Sequence, residues 1–210
     1  MSSARSSRNT GLMDEEKPLR ADARRNRDRV MEVARTLFEE KGPTVEMDEV
    51  ARAAGVGVGT IYRHFPTKEA LIQGVLAEHI QRLVDAMRAR ADETDPGRAF
   101  FECLAFLADE FLARGSLHQA MARAGFAPPA PEHRDAFRSA LETLLSRAQA
   151  AGAVRGDVAA SEVILLVRGA LLPSEERPIT VSARRRMFDV VCSGLRQTPP
   201  RRRSPADKRT

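Results

Sequence analysis

Between Val58 and Lys68 the chain reads VGTIYRHFPTK, a run of side chains able to donate hydrogen bonds to anionic and polar acceptors. Thr60 and Tyr62 offer hydroxyls; Arg63, His64 and Lys68 offer nitrogen donors. Ile61 and Phe65 are four residues apart and so share the inner face of a helix over 58–65. Val58, Gly59, Thr60, Tyr62, Arg63 and His64 then remain on the outer face, which is small, polar and basic. Set in a DNA major groove, Gly59 and Thr60 permit close approach, while Tyr62, His64 and Lys68 reach for base edges and phosphates. Tyr62 is the only tyrosine in the chain, and a phenol hydroxyl beside Arg63 suits a phosphate oxygen. The competing reading is an ordinary solvated face with Tyr62 half packed on Ile61.

Such a helix needs a partner and a turn to present it. Met47, Val50, Ala51 and Ala54 fall at i, i+3, i+4 and i+7 and predict a preceding helix of about two turns. Gly55 can take the left-handed conformation that closes that helix, with Val56 folding back as the apolar contact. Pro66 breaks the second helix, and Thr67 is a good N-cap for a longer helix starting at Lys68. Two short helices joined by a glycine turn form a helix-turn-helix. Beneath it, Val30, Val33, Ala34, Leu37 and Phe38 predict a platform helix that Gly42 and Pro43 end. Thr44, just past that stop, is a turn residue. Arg20, Arg24, Arg25, Arg27 and Arg29 cluster at or before the platform helix. They read equally as an arm for a flanking minor groove and as a solvated helix start balanced by Asp22 and Asp28.

The run AGVGVGTIYRHFPTKEAL resembles the DNA-binding domain of TetR-type (tetracycline-repressor-type) transcriptional regulators, whose pattern is close to A-G-V-S-x-G-T-[LI]-Y-x-H-F-x-[ST]-K-x-x-L. The resemblance implies that residues 58–64 are the recognition helix. It places Thr60, Tyr62 and Lys68 near phosphates, Val58, Gly59 and Arg63 near bases, and Thr44 at a further phosphate. Two positions depart from the pattern. Gly57 stands where a serine often caps the recognition helix, and Glu46 where Ser or Thr often precedes the first helix of the pair. Each change weakens a cap by up to about 1 kcal/mol, although a carboxylate at Glu46 suits the positive helix end.

At 210 residues with 42% hydrophobic and 30% charged composition, the chain can bury a real core in one or two domains. No apolar run approaches the roughly 20 residues that cross a bilayer, and residues 1–20 lack the apolar segment of a secretory signal, so the expected location is cytoplasmic, with no membrane partner. Cys103 and Cys192 have no C-x-x-C spacing and read as small buried thiols. The net charge of +5 is not a nucleic-acid signal in itself, because from residue 184 onward nine Lys or Arg face two Asp or Glu. What speaks for DNA is the placement of charge near the helix-turn-helix.

Organisation follows from these elements. Residues 1–20 lack apolar period and are expected as a disordered tail; 21–67 form the DNA-binding domain; 68–196 form a helical second domain; and 197–210 are a disordered basic tail, most simply solvated. The helix from Lys68 keeps its apolar period to Met87, about 20 residues or roughly 30 Å. It is either a lever joining two domains or a static strut. A helix over 97–113, a short piece over 117–124, a loop GFAPPAP at 125–131 and a helix over about 132–151 follow. Phe101, Cys103, Phe106, Met121, Phe126 and Phe137 are the candidate lining of an apolar ligand pocket, with plain core as the alternative. Residues 160–172 contain SEVILLVRGALL, apolar on nearly every side, so a second subunit is the natural cover for one face. A last helix spans about 181–196. In the resembling family two such helices pair with their mates as a four-helix interface, which makes Ile164, Val167, Leu171, Met187, Val191 and Leu195 the dimer candidates.

The fold expected is therefore all-α: a three-helix N-terminal DNA-binding domain with a helix-turn-helix, then a helical ligand-binding and dimerisation domain. The function expected is a homodimeric repressor on double-stranded DNA at a palindromic operator, released by an apolar small-molecule effector. A constitutive regulator or an activator without a ligand is the alternative. An enzyme is disfavoured. His64, His79, His118 and His133 are scattered, none has a glutamate three residues earlier, and no phosphate-binding loop, dinucleotide fingerprint or Gly-x-Ser-x-Gly elbow is present. Neither a cofactor nor a metal is expected.

Overall fold

The computed structural model describes the backbone of residues 12–171 and 179–197, with side chains in that range except at 12–21 and 114–119. The expected tails at 1–11 and 198–210 lie outside the described residues. Within them the chain forms helices α1 (Leu12–Lys41), α2 (Met47–Ala53), α3 (Val58–His64), α4 (Lys68–Arg90), α5 (Pro96–Arg123), α6 (Pro131–Ala150), α7 (Ala160–Leu171) and α8 (Val181–Leu195), with a 3-10 turn at Gly42–Thr44. They divide into two compact units, Met1–Glu78 with Ala120–Pro128, and His79–Gln119 with Pro129–Thr210.

Two expectations about the elements need correction. Residues 12–20 belong to α1 rather than to a disordered tail. Asp14, Glu15 and Glu16 suit the positive end of a helix and Leu, Met, Glu and Lys are strong helix formers, so a helix does not require an apolar stripe there, although Pro18 removes one backbone donor within it. Likewise α5 runs unbroken from Pro96 to Arg123. Gly115 lies inside it; a helical glycine costs only about 1 kcal/mol relative to alanine and need not end a helix.

In the first unit Val30, Met31, Ala34 and Phe38 of α1 are buried together with Val45, Met47, Val50, Ala51, Ile61 and Phe65. Burying a side chain such as Phe38 stabilises the unit by about 1.5–3 kcal/mol. The division between units falls inside α4 rather than ahead of it at residue 67. Leu71, Ile72, Val75 and Leu76 are buried, and Gly74 comes so close that an added Cβ would meet Met31 Sδ at 3.3 Å and Phe65 Cε1 at 3.4 Å. Gln73 Nε2 also donates to the Ala127 carbonyl at 2.6 Å, which ties residues 120–128 into this unit.

The second unit has one continuous core, contributed by α4 through Leu83, Val84 and Met87, α5 through Phe100, Cys103, Leu104 and Leu107, α6 through Leu141, Leu144 and Leu145, and α7 and α8 through Val163, Val167, Leu171 and Leu195. The α6–α7 connection is pinned beside the end of α8. Arg155 N donates to the Leu195 carbonyl at 3.0 Å and Gln197 N to the Ala153 carbonyl at 3.1 Å.

Candidate nucleic-acid interface

The turn between α2 and α3 is a Schellman closure. Gly55 has φ +64°; its amide donates to the Arg52 carbonyl at 3.2 Å, and the Val56 amide reaches back to the Ala51 carbonyl at 3.0 Å. A left-handed residue here redirects the chain within two residues, and α3 starts at once. Neither Glu46 before α2 nor Gly57 before α3 gives a side-chain cap. Thr67 does cap α4, its Oγ1 accepting from Ala70 N at 3.0 Å.

On α3, Ile61 and Phe65 are buried, while Val58 and Tyr62 are 46% and 45% exposed beside an exposed Arg63. Arg63 has no carboxylate partner among the described residues, so its guanidinium is available to an outside acceptor. A Cβ at Gly59 would meet nothing within 4 Å, so no contact within the chain demands glycine there. Thr60 is half-buried. His64 departs from the expectation. It is half-buried, with Nε2 shielded and without a hydrogen-bond partner among the described residues. The reason is its spacing: Ile61, His64 and Phe65 stand at i, i+3 and i+4, which puts His64 at the margin of the inner face.

The surrounding cations are placed differently from one another. Lys68, at the start of α4, donates to Glu46 Oε1 at 3.2 Å. Lys41 pairs with Glu49 and joins the end of α1 to α2; that hydrogen bond holds the Glu49 carboxyl below its ordinary range and raises the Lys41 ammonium. Thr44 Oγ1 donates to the Lys41 carbonyl at 2.9 Å and closes the turn. Arg24 and Arg25 are exposed, but both lie within the long α1, so they ride on a helix rather than on an extended arm. Arg25 is paired with Asp22. Arg27, which the sequence does not single out beyond its cluster, lies 5.6 Å from the Phe65 ring centroid and packs α1 against the end of α3.

In the second unit the six pocket candidates do not converge on one cavity. Cys103 is core, and burial pushes its thiol up to about 11. Phe106 is half-buried under the Arg90 guanidinium at 5.2 Å, and Phe137 packs against the core cluster. Phe101 lines an open cleft of about 560 Å³ with Gly97, Ala105 and Ala153, and carries Arg196 at 4.0 Å from its ring centroid. Met121 and Phe126 belong to the first unit.

The dimer candidates need correction too. Val167, Leu171 and Leu195 are buried in the unit's own core, and Ile164 and Val191 pack partly against it; Met187 alone of the six is exposed. The apolar groups left in water are Leu165 at 68% exposure and Leu166 on α7, with Val181, Met187 and Val190 (72%) on α8. A stretch apolar all round does not reveal which side its own domain takes. Here Val163, Val167, Ala170 and Leu171 go inward, turning Leu165 and Leu166 out.

Among the described residues no helix is long and apolar enough to cross a membrane, and no cluster of His, Cys, Asp and Glu has the makings of a metal site.

Residues 30–75 match the family model of bacterial regulatory proteins of the tetR family, and residues 95–197 match the C-terminal domain of SbtR-like transcriptional regulators. A TetR transcription regulatory protein from Mycobacterium vanbaalenii has 39% sequence identity and a TM-score of 0.65 over 85% of this chain and 99% of its own. A TetR transcriptional regulator from Streptomyces coelicolor has 32% identity and a TM-score of 0.64 over 82% of this chain and 99% of its own. Among curated proteins, an HTH-type transcriptional regulator of Staphylococcus aureus is 34% identical over 76 residues, 36% of this chain. That match spans 41% of the curated relative's length. With both halves matched, and with the exposed polar face of α3 set on a helix-turn-helix, the chain belongs to the TetR family of DNA-binding transcriptional regulators.

Proposed function

We propose that the protein is a homodimeric repressor that binds a palindromic operator and leaves it when a small apolar molecule binds the second unit. The observation that carries this reading is the apolar surface of α7 and α8. Leu165, Leu166, Met187 and Val190 lie in water on the two last helices, and an apolar patch of that kind on a folded domain marks a protein interface. Spaces for a close mate exist on the same faces. Gly169 follows Leu165 and Leu166 at i+4 and i+3, Gly194 follows Val190 and Val191 likewise, and a Cβ at either glycine would meet nothing within 4 Å. A twofold dimer carries two copies of α3, and two copies read two inverted half-sites.

In this reading Thr44, Thr60, Tyr62 and Lys68 grip phosphates; Val58, Gly59 and Arg63 face bases; and Arg24 and Arg25 meet the flanking backbone. The cytoplasm is the place of action, since the DNA is there. Release follows if the effector fits a different spacing of the two recognition helices better, by as much as its affinities for the two states differ. A constitutive regulator is the second reading, favoured by the way Cys103, Phe106 and Phe137 are used to fill the core. Light scattering on the full chain, followed by titration of its operator complex with a library of apolar compounds, separates them. A dimer whose DNA complex dissolves with particular compounds supports the proposal; a dimer indifferent to all of them supports the constitutive reading.

A further inference from the structure

Glu46 occupies the N-cap position of α2, yet its carboxylate caps no amide of that helix. It is spent on Lys68 instead. Lys68 Nζ lies 3.2 Å from Glu46 Oε1, with the lysine side chain 24% exposed and the glutamate 75% exposed. The cation expected to grip a phosphate is thus already neutralised by an acid on the same face, whereas Arg63, expected at the bases, has no carboxylate partner among the described residues. We propose that Glu46 sets the strength of the DNA grip: it occupies Lys68 as a phosphate would, so that a phosphate must displace it. This rests on the reading that Lys68 faces the DNA backbone.

The consequence is specific in kind. Phosphate contacts carry no sequence information, so Glu46 lowers affinity for every sequence alike and with it the amount of protein held on non-operator DNA. Base reading through Arg63 is untouched. Because each phosphate neutralised by a cation contributes about −0.9 to the slope of log K against log salt, the effect appears in the slope as well as in the affinity.

The test is fluorescence anisotropy of the full-length protein on operator and on scrambled duplex from about 0.05 to 0.3 M salt. It compares wild type, Glu46→Gln, Lys68→Gln, the double variant and Arg63→Ala. Glu46→Gln is expected to tighten both duplexes by about fivefold near 0.15 M and to steepen the slope by about two, about one for each Lys68 of the dimer, with an unfolding midpoint close to wild type because the Glu46 carboxylate is exposed. Lys68→Gln in the Glu46→Gln background is expected to cancel that gain. Weaker binding by Glu46→Gln overturns the proposal and makes Glu46 a positioning residue for Lys68. A gain that survives loss of Lys68 overturns it in favour of direct repulsion between Glu46 and the DNA. If neither position matters while Arg63→Ala weakens operator binding, the proposal fails and the DNA-reading role of α3 stands. If Arg63→Ala is also silent, that role falls with it.

Discussion

Helices α3 and α7 both leave large side chains in water, in different company. On α3, Val58 and Tyr62 stand beside Arg63 and Gly59, so the outward face can hydrogen-bond and can come close. On α7, Leu165 and Leu166 stand exposed around Gly169 with Arg168 beside them, so the outward face can come close and presents mainly carbon at its centre. The first face suits a polar groove rich in acceptors. The second suits another apolar protein surface. The proposed function uses both, because one recognition helix covers a single half-site and a dimer covers two.

The comparison is broken most severely from the apolar side. Leu165→Glu with Val190→Glu is expected to leave a folded monomer and to cost about 10²–10⁴-fold in operator affinity, since the second half-site no longer adds its effective concentration. Light scattering and anisotropy on one preparation check it. On the polar side, Arg63→Ala is expected to cost about 1–3 kcal/mol on the operator and much less on scrambled duplex, the mark of a base contact. Gly55→Ala addresses the turn that presents α3. Nothing within 4 Å would obstruct the new Cβ, so the expected loss of about 1–2 kcal/mol is backbone strain at φ +64°, read by urea unfolding. Tyr62→Phe removes one hydroxyl and is expected to weaken all sequences alike by about 0.5–1.5 kcal/mol.

The last effect concerns neither face. Burial raises Cys103 from 9.0 to about 11 and Cys192 likewise. The stability this represents is complete below pH 9 and is lost as pH rises towards 11, because unfolded thiols ionise first. Urea midpoints at pH 8 and 10 should converge in Cys103→Ala relative to wild type.

How much of this was legible beforehand differs between the same two faces. The helix-turn-helix is written in local signals: a glycine that must be left-handed, a proline that stops a helix, a threonine that caps the next, and Ile61 and Phe65 four apart. Those act within a few residues, so their outcome can be read without knowing the rest of the chain. Thr60 and His64 were expected outside and are half-buried, at the margins where a 3.6-residue period leaves a side chain neither in nor out. In the second unit α7 is apolar on nearly every side and α8 has two apolar sides, Phe188 with Leu195 and Met187 with Val190, so the inner face of each is chosen by neighbours far away in sequence. That is why Val167, Leu171 and Leu195 went to the core while Leu165 and Val190 stayed out. Aromatic content likewise signals burial without saying whether the burial encloses a cavity. Residues 12–20 form the converse case, a helix without any apolar stripe to mark it and with Pro18 inside it, which reads as a helix breaker.

The central claim is that two copies of α3 read a symmetric site. Its most direct test is selection of bound fragments from a random DNA library by the full-length protein at about physiological salt, followed by sequencing. The account predicts an enriched palindrome with half-sites one helical turn or slightly more apart. Binding without any enriched sequence, vanishing as salt rises, would contradict it.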